Sequence, residues 1–252
     1  MLGIQRLTSN GCPAWRQSES ELGHQATEVR AGFPAMNSLR ALNAVHDMNG
    51  ACHEHPNLFV TSQGRVGFVT GDVRTIDQGQ YDPKVYIAIS PLMAYIGENF
   101  SIWRCPSDPS HAANGQPRVR SISMSHIFSN GGFLPTMGFN GYRTYGKFSE
   151  IKNPTKTWVL IDEHPDGLND GDFCNEMTIV GATTAFIVDT PASFHAGAGG
   201  LSFADGHSEI HKWKGNDTRA PVTGNYITKR YTSEAASVSD QVWLSENTTV
   251  KR

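Results

Sequence analysis

Gly200-Leu201-Ser202-Phe203-Ala204-Asp205-Gly206-His207-Ser208-Glu209-Ile210-His211-Lys212-Trp213 is the stretch on which the fold turns. Leu201 and Phe203 alternate with Ser202 and Ala204, Asp205-Gly206 offers the two positive-φ positions of a type I′ turn, and His207 to Trp213 alternates again. A period of two on both sides of such a turn predicts a β-hairpin. Working outward, Thr157 to Ile161 and Ala185 to Val188 are short runs of β-formers, so antiparallel sheet is expected to dominate the second half. Upstream the period changes. Met36, Leu39, Leu42, Val45 and Met48 recur every three residues up to Asn49-Gly50, which predicts an amphipathic helix over about 36–49. A shorter helix is expected over Pro91 to Asn99. The fold class expected is α+β: an N-terminal amphipathic helix packed on an antiparallel β-sheet, loop-rich. Residues 1–35, with the polar cluster Gln17 to Glu21, read as a leader segment ahead of one globular domain over 36–252.

Composition agrees with a loop-rich globular chain. The 252 residues are 18% charged and 38% hydrophobic, and 25 Gly with 13 Pro disfavour a helical bundle. Lys and Arg number 21 against 24 Asp and Glu, for a net charge of -3 with no basic run, so nucleic acid is not an expected partner. Val85 to Gly97 is interrupted by Ser90-Pro91 and falls short of the roughly 20 apolar residues of a membrane span. No secretory signal is read in Met1 to Gly23. Cys12, Cys52, Cys105 and Cys174 are too widely spaced for a CxxC zinc site, and Cys105 reads as a buried structural residue.

Chemistry is concentrated after Trp158. The loop Asp162 to Asp172 crowds Asp162, Glu163, Asp166, Asn169, Asp170 and Asp172 around two glycines, a density of hard oxygens that suits calcium, although the spacing is not that of an EF-hand. His207, Glu209 and His211 fall on one face of the second hairpin strand, a second candidate metal set. Same-face neighbours about 7 Å apart are wide for one tetrahedral zinc, so calcium is the first expectation and zinc the second. The glycines of Phe194 to Gly200 let the chain double back so that His195 meets Asp205, in a structural hydrogen bond or, in the functional version, as a base oriented by an acid. No nucleophile elbow, Walker loop, dinucleotide fingerprint or HExxH helix is present.

Phe194-His195, nine residues, then Asp205-Gly206 resembles the signature of the prepilin-type H-X9-DG domain family. Met36-Asn37-Ser38-Leu39-Arg40 resembles its segment near the end of the long pilin helix, and Cys105-Pro106-Ser107-Asp108 its mid-chain turn. Asp162-Glu163-His164-Pro165-Asp166 resembles its acidic loop, and Trp243-Leu244 through Thr248-Thr249 its C-terminal tail. The resemblance implies a pseudopilin-like fold in the bacterial cell envelope, periplasmic or secreted, with other pseudopilins or secretion components as partners and calcium in the acidic loop. The basic leader and apolar anchor of that family are not read in residues 1–35. Two functions follow as expectations: a calcium-binding pseudopilin-like module, or a metal-dependent hydrolase of small esters or lactones in which His195 and Asp205 serve catalysis. A carbohydrate-binding module, drawn from the tryptophans, is explained better by core packing.

Overall fold

The computed structural model describes residues 78–85, 87–90, 93, 96–128, 141–145, 148–169, 171–227 and 229–252. The helix expected over 36–49, together with Cys12, Cys52 and the leader, lies outside them. Within them the content is mixed α and β, as expected: a five-stranded sheet, a two-stranded sheet and one C-terminal helix.

The large sheet is built on strand β2 (Trp158–Asp162), every residue of which is buried. β1 (Ile122–Ser125) pairs with one edge of β2 and β5 (Ala198–Phe203) with the other, both antiparallel. β3 (Asp172–Phe173) lies parallel to β1, and β6 (Ser208–Lys212) closes the far edge, giving the order β3-β1-β2-β5-β6. β6 presents polar side chains to solvent, as an edge strand should. β4 (Ala185–Ile187) and β7 (Arg230–Thr232) form the second, antiparallel pair.

The β5–β6 hairpin is present, but its turn differs from the expectation. Gly206 alone takes positive φ (98°), Gly206 N–H bonds the Phe203 carbonyl, and Phe203 pairs with His207. That is a three-residue loop with glycine in the left-handed position, not a two-residue type I′ turn. Of the segment 91–99, residues 96–98 form a turn, and the helical turn that follows is a 3₁₀ segment, Phe100–Trp103, capped by the Asn99 side chain.

Helix α1 (Ala235–Glu246) was not anticipated, because its buried face is largely polar: Ser237, Asp240, Gln241 and Ser245 beside Val238 and Leu244. Asp240 accepts the N–H groups of Lys214 and Gly215 at 2.8 Å and the Thr218 hydroxyl. The carboxylate thereby satisfies a whole turn, which is what makes its burial affordable.

Hydrophobic packing falls into two clusters. Trp158, Ile161, Phe173, Leu201, Phe203, Trp213 and Leu244 form one; the other gathers Trp103, Ile122, Met124, Ile127, Val159 and Leu160 among others. A register shift between Trp158 and Leu160 interrupts strict alternation along β2. Trp103, Trp158 and Trp213 are at most 1% exposed, so these indoles are core and not a sugar platform. Among the described residues no helix is long and apolar enough to cross a membrane.

Candidate metal centre

Three segments meet at one end of the sheet. Asp162 ends β2. Because β1 and β5 run antiparallel to β2, the start of each lies beside that end. Cys105 stands in the turn that precedes β1, held where its N–H donates to Ser121 Oγ at 2.7 Å and its carbonyl accepts from Asp108 N–H at 3.0 Å. His195 sits in the turn leading into β5, closed by mutual backbone bonds between His195 and Ala198 at 3.0 and 3.2 Å. The next residue, Ala196, has φ 54°, a left-handed conformation that side chains rarely adopt. Backbone strain of this kind is found where the surrounding structure fixes a side chain for function.

His195 Nε2 lies 3.3 Å from Cys105 Sγ and 3.7 Å from Asp162 Oδ2. The three donor atoms lie within 4.8 Å of one another, and no other trio of His, Cys, Asp or Glu does so among the described residues. Cys105 and Asp162 are buried, whereas the His195 side chain keeps 20% of its surface in solvent and forms the open side. Asp162 Oδ2 also accepts the Gly200 N–H at 3.2 Å, while Oδ1 is buried with no hydrogen-bond partner. An unsatisfied buried carboxylate oxygen is rare in folded proteins.

Burial disfavours charge on two of the three groups. Burial, reinforced by the Asp162 and Asp108 carboxylates, pushes the Cys105 thiol up to about 11 against the hydrogen bonds offered by Ser107. Burial likewise raises Asp162, opposed by the nearby His195 ring and the Gly200 N–H. The Asp162 carboxylate beside it raises His195, against its burial.

This geometry does not suit a nucleophilic thiol. In a Cys-His-acid relay the acid holds the imidazole nitrogen opposite the one facing sulfur. Here sulfur and carboxylate both approach Nε2. Convergence on one point is instead what a metal requires: bond lengths of about 2.3 Å to sulfur and 2.0–2.1 Å to nitrogen or oxygen give tetrahedral edges of roughly 3.3–3.6 Å.

The sequence expectations fare unevenly. His195 does belong to a site, but its acid is Asp162, not Asp205. The six residues of β5 separate His195 from Asp205, about 20 Å at 3.3 Å per residue. Asp205 instead bonds His207 Nδ1 at 2.6 Å in the hairpin loop. The described side chains of the acidic loop engage separate partners. Glu163 accepts from Ser123 Oγ, Asp166 from Thr223 and Gly224, and Asp172 faces His126 at 3.1 Å. Asn169 Oδ1 is buried without a partner, and Asp170 lies outside the described residues. The β6 set is also drawn apart. His207 stacks on Phe203, His211 stacks on Trp243 at 3.5 Å between ring centres, and Glu209 only reaches 4.0 Å from His211. Cys105, taken as structural, is a member of the site; its raised thiol and its partners depend on contacts across the fold that no local spacing announces. Comparison with family models, curated proteins and solved structures finds no match to this chain.

Proposed function

We propose that the protein is a mononuclear metal-dependent hydrolase of a small ester or lactone, with Cys105, Asp162 and His195 as ligands to a zinc-class ion. The observation that carries this is the approach of Sγ, Oδ2 and Nε2 to one another on a partly open side of the fold. A soft thiolate with an imidazole and one carboxylate favours a transition metal over calcium. Three protein ligands with one position left open are the pattern of catalytic zinc, whereas structural zinc takes four. Such an ion lowers the pKa of bound water and polarises a carbonyl. Water oxygen adds to the acyl carbon, the acyl–oxygen bond breaks, and the alcohol leaves with a proton; in a lactone the same cleavage opens the ring. Asp162 Oδ1 is the acceptor at hand for the proton released by water.

We also take the scaffold to be pseudopilin-like and its location the cell envelope, on the spacing of His195 from Asp205-Gly206. Fractionation of the source cells that recovers the protein from the cytoplasm alone removes that part.

Metal analysis and zinc titration with thermal denaturation test the centre, on the unaltered chain, Cys105→Ala and Asp162→Asn. One ion per chain is expected, with stabilisation of about 2.7 kcal/mol at a hundredfold excess over Kd. Neither variant retains the ion. A chain that binds no ion and shows no thermal shift overturns the proposal. Short-chain esters and acyl lactones, screened with and without chelator, then test the reaction.

A further inference from the structure

We infer that Arg219 is the substrate-anchoring residue of this centre, so that it takes esters or lactones carrying a free carboxylate; the inference rests on the metal centre proposed above. Two independent contacts set Arg219 on the rim. Its Cδ and Nη1 lie 3.2 and 3.7 Å from the position a Cβ would occupy on Gly197, two residues past His195. The next residue, Ala220, accepts His164 Nε2 at 2.9 Å, and His164 is two residues past Asp162. The turn bearing Arg219 is thus pinned beside the loops of two of the three ligands.

The guanidinium is oriented but not consumed. Nε donates to the Gly215 carbonyl at 3.2 Å, and Nη2 to the Lys214 carbonyl at 3.1 Å and Asn216 Oδ1 at 3.3 Å. Nη1 has no hydrogen-bond partner among the described residues, and the side chain is exposed. Glu234, which feels its charge, is committed to Asn216, Asp217 and Ser237. A divalent ion with one thiolate and one carboxylate sums to zero charge, and Arg219 adds a fixed positive charge on the rim. Nη1, with its two N–H groups, is left to donate a charge-assisted hydrogen bond to a carboxylate.

The test is calorimetric titration of the zinc-loaded full chain with monomethyl glutarate and with dimethyl glutarate, zinc content being measured on every sample. The monoanion is expected to bind about fivefold tighter than the neutral diester, the size of a solvent-exposed charge pair. Arg219→Gln removes that preference with zinc retained, and Arg219→Lys restores part of it. No binding of either probe, equal affinity for the two, or a preference that survives Arg219→Gln overturns the anchor and leaves the metal centre standing. Absence of zinc from the unaltered chain overturns both.

Discussion

Gly199→Ala puts a methyl group where the fold has no room. A Cβ at Gly199 falls 2.5 Å from the Ala192 carbonyl oxygen and 3.1 Å from Trp213 Nε1, which are themselves bonded at 2.9 Å. The first contact is with backbone, so the strand or the Ala192 peptide must move. Losing the Trp213 bond leaves a buried N–H unsatisfied at about 1–3 kcal/mol, and forced repacking adds about 1–3 kcal/mol, so the expected cost is about 2–6 kcal/mol. At roughly 2–4 °C per kcal/mol for a domain of this size, Tm should fall by about 4–24 °C. The strain also reaches the metal centre, because Ala192 N–H donates to the Asp162 carbonyl at 2.8 Å. Thermal denaturation followed by tryptophan fluorescence, with zinc affinity measured alongside, is the assay. Gly115→Ala is the control: nothing lies within 4 Å of its Cβ, and only its positive φ (80°) opposes the change. A Gly199→Ala protein no less stable than Gly115→Ala, with zinc affinity intact, refutes the packing argument.

Other outcomes follow from the same geometry. Ala196→Gly relieves a left-handed backbone worth about 1–2 kcal/mol and costs about 0.5–1 kcal/mol in chain entropy, so a gain of up to about 1.5 kcal/mol is expected in denaturant unfolding. Any loss of stability counts against strain at that position. Burial holds His211 below the ordinary histidine range, opposed by Asp240 and aided by Lys214. The folded state therefore binds its proton less readily than the unfolded chain. That contribution is complete above about pH 6.5 and is lost as pH falls through the folded pKa, at no more than about 1.4 kcal/mol per pH unit. His211→Phe, which keeps a ring on Trp243, should flatten the fall in Tm between neutral and mildly acidic pH; an unchanged slope rejects it. Millimolar calcium should leave Tm unmoved where zinc raises it, because Glu163, Asp166 and Asp172 are spent on separate partners; the reverse order in a thermal scan revives the calcium cage.

What the sequence yields is what is local. β2 and the β5–β6 hairpin are legible because burial on one or both faces writes itself into runs of β-formers and alternation. α1 is not, since its inward face is read as polar until Asp240 is seen to hold the Lys214–Thr218 turn. The site is half legible. His195 stands out among its glycines, but Asp162 hides among carboxylates that serve other partners, and Cys105 offers no signal beyond being a cysteine. Strand pairing across β1, β2 and β5 brings the three together, and pairing order is not written at any one of them.

The closing contacts of β2 come from far downstream. Trp158 donates its N–H to the Asn247 carbonyl at 2.9 Å and its indole N–H to Thr248 Oγ1 at 3.0 Å. A ribosome delivers Cys105, Asp162 and His195 well before those residues, and domains emerge N-terminal end first. The start of β2 is thus synthesised early and closed late, and in nascent chains halted before Asn247 the Trp158 N–H and indole lack the partners that cover them in the finished fold.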